Sequence, residues 1–414
     1  MRSRLLSLAA LLVGTGLLLA GGGVQWILLP LRAQIEGFSN DSIGVIGMGW
    51  AIGFTAGCLV VPRIVQRVGH VRAFGALAAM LSIAILLCGM LVNPVAWFVL
   101  RALSGLCFSG AYMIIESWLN ERSTNEIRGT VFSLYLVVSQ GGIMAGQYAI
   151  VFAPPESNLP FMIAAILFSL ALLPTALSQV QSPTPLREVK LDFRSLYRNS
   201  PAALIGVILA GAISGAWQNF APVYGGMAGL SNTAIATMLA AAMAGSIIIQ
   251  FPMGWASDRT DRRFVLVAIG VAGAAVCGTA SMLQPGTVTA GWAFFGLMAL
   301  IGGFIYPVYA VLIAHANDHA DPQDYVKVSS ALLLVYGLGG IAGPIVTARV
   351  IEWTGKGGLF LTIGGINLAI ALYTAWRITR RSAPPAAGTV DFTSLPAGAA
   401  QTTQTAELAP LGDE

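Results

Sequence analysis

Long apolar stretches alternate with short polar loops along most of this 414-residue chain. Twelve of the stretches approach or exceed the ~20 apolar residues that a helix needs to cross a bilayer. Eleven contain no Asp, Glu, Lys or Arg, and the fourth contains Arg101 and Glu116. The predicted spans are 5–31, 43–62, 73–92, 95–119, 130–153, 161–180, 202–224, 234–256, 264–283, 288–314, 328–348 and 358–376.

The longest internal polar stretch, residues 181–200, lies between the sixth and seventh spans. It predicts a cytoplasmic linker between two six-helix bundles, residues 1–180 and 201–380. Residues 381–414 are rich in Ala, Pro, Thr and Gly, and predict a disordered cytoplasmic tail. The expected fold class is an all-α polytopic membrane protein with twelve helices in two pseudo-symmetric bundles.

Composition excludes a soluble protein, because hydrophobic residues make up 56% of the chain and charged residues only 10%. A scattered net charge of +4 gives no reason to expect nucleic-acid binding. The four cysteines lie in apolar runs without CxxC spacing, so they predict neither a disulfide framework nor a zinc site. HExxH, GxSxG and paired intramembrane carboxylates do not occur in the sequence, so we expect no enzymatic activity. We also expect no cofactor, and a monomer in the lipid bilayer.

Basic residues predict the orientation of the spans. With a cytoplasmic N-terminus, 18 of the 22 Lys and Arg residues lie inside, three lie outside, and Arg101 lies in the membrane. Both termini are therefore expected in the cytoplasm, with the protein in a bacterial inner membrane. The first residues resemble a secretory signal, but the apolar run continues through residues 24–31 and favours a retained helix.

The chain contains an internal repeat. A shift of 192 residues aligns loop 66–72 with loop 258–264, and span two with span eight. Residues 254–263 (GWASDRTDRR) resemble the loop signature G-x-x-x-D-R-x-G-R-R of the major facilitator superfamily, with Asp261 in place of the second Gly. In the first half Gln66 replaces the Asp. Parallel repeats of this kind are typical of transporters whose two halves rock around a central site.

Two further motifs qualify this resemblance. Arg101-Ala-Leu-Ser-Gly105 matches the R-x-x-x-G motif of span four in the family. The G-x-x-x-G-P motif of drug/proton antiporters is incomplete in span five, where Gln147 follows Gly146, and this departure argues against antiport. Over residues 1–380 the amino-acid sequence is most similar to the YcaD-like bacterial branch of the family, for example in IIESWLNERSTNEIRGTVFSLY.

Arg101 is the one charge predicted to lie deep in the membrane, about 9 Å outward from the centre of its span, whereas Glu116 lies about 14 Å toward the cytoplasm. A buried charge indicates either a ligand or coupling site or a structural strut. As a strut, Arg101 would donate to backbone carbonyls of span one or to Gln25. Tyr112 shares the helix face of Arg101.

The family resemblance implies that spans 1, 2, 4, 5, 7, 8, 10 and 11 line a solute cavity. Polar and aromatic residues on these spans are the candidate lining, although each of them also suits helix packing. The candidates are Gln25, Trp26, Arg101, Tyr112, Gln140, Gln147, Trp217, Gln218, Asn219, Tyr306 and Tyr336.

The resemblance also implies a cytoplasmic gate of charged loop residues. Glu116 would meet Arg67, Arg72 or Arg128 there, unless it forms an ordinary solvated pair. The gate candidates are Arg67, Gly69, Arg72, Glu116, Arg128, Asp258, Arg259, Arg262 and Arg263. A small-residue ridge at 49, 53 and 57 predicts close helix packing, for which span eleven is the suggested partner.

These patterns favour a secondary active transporter that moves a small organic solute by a rocker-switch cycle, with uptake, export and proton coupling all left open. Arg101 without an acidic partner favours an anionic solute. A non-transporting scaffold or assembly factor with the same fold is the alternative. His315 and His319 have a spacing that zinc accepts, but two ligands at a helix end are weak support for a metal site.

Overall fold

The computed structural model describes residues 2–123, 127–177, 197, 200–282, 291–320 and 325–380. Apart from residues 197 and 200, the predicted linker lies outside the described residues, and so does the predicted tail. The helices of the described part are α1 (Arg2–Ile35), α2 (Asn40–Val68), α3 (His70–Met90), α4 (Pro94–Arg122), α5 (Arg128–Gln147), α6 (Ala149–Phe152), α7 (Leu159–Leu177), α8 (Pro201–Met227), α9 (Asn232–Arg259), α10 (Arg262–Ser281), α11 (Trp292–Ile305), α12 (Pro307–Asn317), α13 (Tyr325–Thr354) and α14 (Gly358–Ile378).

Within these ranges, 11 spans are long and apolar enough to cross a membrane. Two of them consist of two helices each, α5 with α6 and α11 with α12. A shorter apolar helix, Leu159–Pro174, lies within α7 and corresponds to the sixth predicted span. The all-helical, multi-spanning fold class predicted from the sequence is therefore confirmed.

Polar side chains start several helices at the predicted loops. Asn93 accepts hydrogen bonds from the backbone N–H groups of Val95 and Ala96 at the start of α4, where Pro94 takes the first helical position. Asp261 accepts from the N–H group of Arg263 at the start of α10. These caps satisfy donors that have no acceptor within their own helix.

The tenth span is interrupted at Tyr306, between α11 and α12. Pro307 follows and has no N–H group, so it cannot donate to the carbonyl of Gly303 as a continuous helix requires. Tyr306 itself keeps helical dihedral angles of φ −78 and ψ −42. The interruption is thus local, and it places a tyrosine hydroxyl at a break in the helix.

Contacts divide the chain into two compact units. The first unit holds α1 to α7 apart from residues 39–44 at the start of α2. In it, α1 packs on α5 and α7, and α3 packs on α4 and α7. A Cβ atom added at Gly146 would lie 2.0 Å from the carbonyl oxygen of Ala20, so α1 and α5 touch through backbone.

The second unit holds α8 to α14 and repeats the same pairing. Helix α8 packs on α13, α9 on α11, and α10 on α14. In the first unit the corresponding pairs are α1 with α5, α2 with α4, and α3 with α7. A Cβ atom at Gly339 would lie 1.9 Å from the carbonyl oxygen of Ile208, which matches the close contact of α1 with α5. The repeat seen in the sequence is therefore also a repeat of helix contacts.

The suggested partner of the small-residue ridge in α2 was wrong. A Cβ atom at Gly53 would lie 1.8 Å from the carbonyl oxygen of Ala102, and one at Gly49 would lie 2.8 Å from that of Phe98, so the ridge packs against α4. Gly105 of α4 approaches the carbonyl oxygen of Trp50 in return, at 2.1 Å. Small residues on both helices permit this contact, which the sequence of α2 alone did not reveal.

Candidate functional site

Arg101 lies in the interior of the first unit and is only 3% exposed. Its Nε and Nη1 atoms are buried without a hydrogen-bond partner. No described Asp or Glu forms an ion pair with it. A guanidinium is always charged in proteins and has five N–H donors, so these buried donors are free to bind an acceptor supplied from outside the protein.

The predicted strut between Arg101 and Gln25 is not formed. The Gln25 amide Nε2 donates instead to the hydroxyl of Ser104, at 3.0 Å. Ser104 in turn donates to the carbonyl of Leu100, at 2.9 Å. The Gln25 Oε1 atom is buried without a partner. Gln25 therefore ties α1 to α4 but leaves one acceptor unused in the same interior.

An aromatic cluster joins α1, α2 and α4. Trp26 contacts Trp50 edge-on at 6.3 Å between ring centroids and lies 5.7 Å from Phe108. Phe108 in turn lies 6.2 Å from Tyr112, one turn further along α4. The indole Nε1 atoms of Trp26 and Trp50 are both buried without a partner. The cluster thus combines ring surface with unused donors.

Two glutamines of α5 complete the polar interior of the first unit. Gln140 is 5% exposed, and neither its Oε1 nor its Nε2 has a hydrogen-bond partner. Gln147 is also buried, with Oε1 unpartnered. A buried amide without partners costs about 1–3 kcal/mol, so this unit retains polar groups that its own packing does not satisfy.

In the second unit four of the predicted residues form two hydrogen-bonded groups. The Trp217 indole hydrogen-bonds to the hydroxyl of Tyr306. On the same helix, Gln218 donates to the Ser214 hydroxyl at 3.1 Å, and Ser214 hydrogen-bonds to Tyr336 of α13.

The rings of Tyr336 and Tyr309 lie 4.7 Å apart and extend the second group toward α12. The amide of Asn219 donates instead to the carbonyl of Gly215 one turn earlier, at 2.9 Å. Four of the five cavity candidates in this unit therefore belong to one of these two groups, and Asn219 is bonded to neither.

The loop between α9 and α10 carries the family signature and is held by an ion pair that the sequence analysis missed. Arg262 Nε donates to Asp318 Oδ2 at 2.7 Å, and both side chains are 2% exposed. Arg262 also donates to Ser257 at 2.9 Å, whereas its contact with Asp258 is long, at 3.5 Å. Asp318 thus gives the shorter and more buried of the two carboxylate contacts to Arg262.

Arg263 binds the carboxylate of Asp261 through Nε and Nη2, with a shortest distance of 2.6 Å. Burial raises the pKa of this carboxyl. The hydrogen bonds and the charge of Arg263 together lower the pKa by more than burial raises it, so the pKa lies below its usual value. Asp261 is therefore ionised at neutral pH. Nearby, Arg259 stacks over the ring of Trp255, at 4.3 Å from the guanidinium carbon to the ring centroid.

The corresponding loop of the first unit is built differently. Gly69 has a positive φ of 84, which lets the chain turn sharply from α2 into α3. Arg67 and Arg72 flank it and are exposed. Arg128 begins α5 and has a buried Nε atom without a partner.

Glu116 lies deeper, fully buried in α4, and accepts a hydrogen bond of 2.8 Å from the hydroxyl of Tyr135 on α5. The bond links two neighbouring spans of the first unit. Tyr135 was missed by the sequence analysis because nothing in an apolar stretch distinguishes a bonding tyrosine from a packing one. Asp318 was missed for a similar reason, because it lies 56 residues from Arg262.

Comparison with known proteins identifies the class as multi-pass membrane transporters. The sequence profile of the Major Facilitator Superfamily matches residues 11–234 and 208–406. The chain belongs to this superfamily. It is 25% identical over 382 residues to the uncharacterized MFS-type transporter YcaD of Escherichia fergusonii, covering 91% of this chain and 97% of the relative. An uncharacterized MFS-type transporter of Yersinia pestis (strain Pestoides F) is also 25% identical, over 87% of this chain and 93% of its own length.

Solved structures show the same fold. The crystal structure of the nucleoside transporter NupG has a TM-score of 0.78 at 14% identity, over 92% of this chain and 100% of NupG. A bacterial homolog of the human lysosomal transporter Spinster, in an inward-facing and occupied conformation, has a TM-score of 0.71 at 16% identity, over 90% of this chain and 96% of that one. The predicted superfamily and its similarity to the YcaD-like branch are thus confirmed.

Proposed function

We propose that the protein is a secondary active transporter that moves a small organic solute across the bacterial inner membrane by rocker-switch alternating access. Membership of the superfamily supports transport as the activity. The repeated helix pairing of the two units supports a cycle in which each unit moves as a body around a site near the middle of the membrane.

The observation that carries the proposal is the buried guanidinium of Arg101 with two unpartnered donor atoms. A charged residue at the centre of a spanning helix costs at least about 2.5–3.5 kcal/mol, and in membrane proteins such residues mark solute or ion pathways. A solute that brings an acceptor to Arg101 recovers part of this cost. A solute therefore gains binding free energy at Arg101 by satisfying donors that the protein alone leaves unsatisfied.

The surrounding groups define the class of solute. An anionic group suits Arg101, and the rings of Trp26 and Trp50 suit an apolar or flat portion, with their N–H donors available beside it. NupG is described as a nucleoside transporter. A nucleoside has a flat ring but no charge, so it would leave the Arg101 guanidinium without a counter-charge. We therefore expect this protein to prefer small carboxylates that also carry an apolar or aromatic group.

Purified full-length protein screened by thermal unfolding against such carboxylates and their neutral amides tests this function. A ligand that binds only the folded state raises its stability by RT ln(1 + [L]/Kd), so carboxylates should raise the melting temperature and the amides should not. Arg101→Gln should abolish the shift, and Arg101→Lys should retain part of it, because an ammonium is a point donor without the planar fork.

Arg349→Gln is the matched control, because its side chain is 54% exposed and it should leave the shift unchanged. Uptake into proteoliposomes of the stabilising carboxylate then tests transport directly, with and without a proton gradient. A folded protein that binds but never transports would favour the scaffold alternative. An Arg101→Gln protein with a full ligand shift would refute the role of Arg101.

The topology belongs to the same proposal. Both termini lie in the cytoplasm, and residues 1–180 and 201–380 form the moving bundles of a monomer that has no nucleic-acid partner. Tags at residues 1 and 414 should be accessible from the cytoplasm only. A periplasmic tag at either end would overturn the map.

Charged residues near the loops form the proposed cytoplasmic gate. In the second unit it rests on Arg262, held by Asp318 and Asp258, and on Arg263, held by Asp261. In the first unit Gln66 stands where the signature has an acid, so Asp258→Asn should slow transport more than Gln66→Ala. Equal transport rates of the two variants in proteoliposomes would count against a gate at the second loop.

A further inference from the structure

A small pocket lies at one end of the second unit, where α8 and α10 begin and α12 and α14 end. We call it the α8 pocket. It is distinct from the interior cluster around Trp217 and Tyr306, because it lies at the first residues of α8 and Trp217 lies about four turns further along that helix. Of its lining residues, the proposed transport mechanism uses only Arg263, which also belongs to the proposed cytoplasmic gate. Its lining includes Ser200, Ala202, Arg263, His315, His319 and Arg377.

The start of α8 leaves donors unused in this pocket. Ser200 precedes the helix, a position where a serine side chain normally accepts from backbone N–H groups of the first turn. Here it makes no such bond, and its Oγ is buried without any partner in a residue that is 2% exposed. Pro201 has no N–H group, and the N–H group of Ala202 has no acceptor within a 27-residue helix.

Positive charge surrounds these donors. Arg377 reaches the pocket from the last turn of α14 and contacts the ring of Trp376, at 5.6 Å from the guanidinium carbon. No described Asp or Glu pairs with Arg377. Arg263 also lines the pocket, and its bonds to Asp261 cancel the nearest carboxylate charge. Among the described residues, one guanidinium charge and the positive end of the α8 dipole therefore remain uncompensated.

Two histidines form the remaining polar wall. His319 Nδ1 lies 2.9 Å from the carbonyl oxygen of His315, so it donates there, and a neutral His319 presents Nε2 as an acceptor. Their rings lie 4.8 Å apart. Two imidazoles alone would suit a divalent cation, but Arg263 and Arg377 would repel one. Among the described residues, no group of three or more His, Cys, Asp or Glu side chains could hold a metal ion.

We propose that the α8 pocket binds a phosphate group, carried either by a free phosphate or by the headgroup of an anionic phospholipid. Phosphate oxygens accept from the Arg377 guanidinium, the Ser200 hydroxyl and the Ala202 N–H group, as anions do at helix N-termini. A protonated phosphate oxygen donates to Nε2 of His319. The site fixes the first turn of α8 to the ends of α12 and α14.

Titration calorimetry of the full-length protein in a neutral detergent, with inorganic phosphate at constant ionic strength, tests this site. Wild type should bind phosphate. Ser200→Ala and Arg377→Gln should each weaken binding about 10- to 100-fold, the usual effect of losing one hydrogen bond to a charged group. Arg380→Gln is the matched control, since Arg380 is exposed one turn further along and does not line the pocket.

Equal phosphate affinity in Arg377→Gln and wild type would overturn the site. Ser200→Ala shows whether a loss of phosphate binding could come from misfolding. It removes only a buried hydroxyl without a partner, so the melting temperature measured without phosphate should stay unchanged or rise.

Nanodiscs distinguish the two sources of the phosphate group. If a headgroup is the ligand, phosphatidylglycerol should raise the melting temperature above that in phosphatidylcholine, and Arg377→Gln should remove the difference. If free phosphate is the ligand, added phosphate should raise it equally in both lipids. Stabilisation by neither source would refute the proposal.

Discussion

Arg101 in the first unit and Arg262 in the second are both buried arginines of spanning helices, with exposures of 3% and 2%. Arg262 binds Asp318 and Ser257 at 2.7 and 2.9 Å, whereas Arg101 has two buried donor atoms without a partner. In the second unit the hydroxyls of Tyr306 and Tyr336 are likewise bonded, to Trp217 and Ser214. In the first unit the indole N–H groups of Trp26 and Trp50 and the amide of Gln140 are buried without a partner.

The difference separates polar groups that are bonded within the protein from polar groups that the proposed solute would bond. A buried polar group that is fully bonded stabilises one arrangement of its helices, but one that is unbonded lowers the stability of the protein alone. Both units use the same close glycine contacts between helices, so packing does not explain the contrast. Removing one of the bonded groups should therefore lower stability, and removing one of the unbonded groups should raise it or leave it unchanged.

The largest effect is expected from breaking the ion pair of the second unit. Asp318→Asn leaves the buried charge of Arg262 without its nearest carboxylate and should lower the free energy of unfolding by about 3–5 kcal/mol. Asp258→Asn is the control, because the Asp258 side chain is 33% exposed and lies 3.5 Å from Arg262; it should cost ~1 kcal/mol or less. Denaturation in dodecyl sulfate mixed micelles measures both, and equal losses would remove the distinction between the two carboxylates.

The opposite sign is expected in the first unit. Arg101→Met keeps an apolar chain of similar length but removes the unpaired charge, so it should raise the free energy of unfolding by about 2.5–3.5 kcal/mol in the absence of solute. The same variant should lose its response to carboxylates. Arg349→Met, at an exposed arginine that pairs with Asp41 and Glu352, should change stability by ~1 kcal/mol or less. A destabilised Arg101→Met protein would show that the guanidinium has a structural role.

The shared packing gives a third test, in which the two units should behave alike. Gly53→Ala would place a Cβ atom 1.8 Å from the carbonyl oxygen of Ala102, so α2 and α4 must separate at an expected cost of about 1–3 kcal/mol. Gly339→Ala should cost a similar amount between α8 and α13. Gly141→Ala, with no atom within 4 Å of the added Cβ, should be neutral or stabilising. Thermal unfolding of the three variants compares them directly.

The smallest effects concern single neutral hydrogen bonds. Tyr306→Phe leaves the buried Trp217 indole without its acceptor and should lower stability by about 1 kcal/mol, at the lower end for a buried donor left without a partner. Gln140→Met replaces an unpartnered amide of the first unit by an apolar side chain of similar length and should leave stability unchanged or raise it. If Gln140→Met lowered stability as much as Tyr306→Phe does, the proposed difference between the polar groups of the two units would be contradicted.

Much of the fold could be predicted because the bilayer restricts the chain so strongly. A spanning segment must satisfy its backbone internally, so a long apolar run in this chain predicts a helix directly. The helix ends were less accurate, since polar caps such as Asn93 and interruptions such as the one at Pro307 act within one or two residues. The internal repeat was visible in the sequence because the loops at 66–72 and 258–264 are still similar enough to align.

The sequence by itself determined which side chains are polar in an apolar setting, and Arg101 was singled out on that basis. Only the tertiary structure decided which of them are bonded, because the partners lie far away along the chain: Ser104 for Gln25, Tyr135 for Glu116 and Asp318 for Arg262. The same holds for the partner of the α2 ridge. Hydrophobicity is a property of each residue, whereas a hydrogen bond or a close helix contact depends on where two distant residues are placed, and that follows from packing.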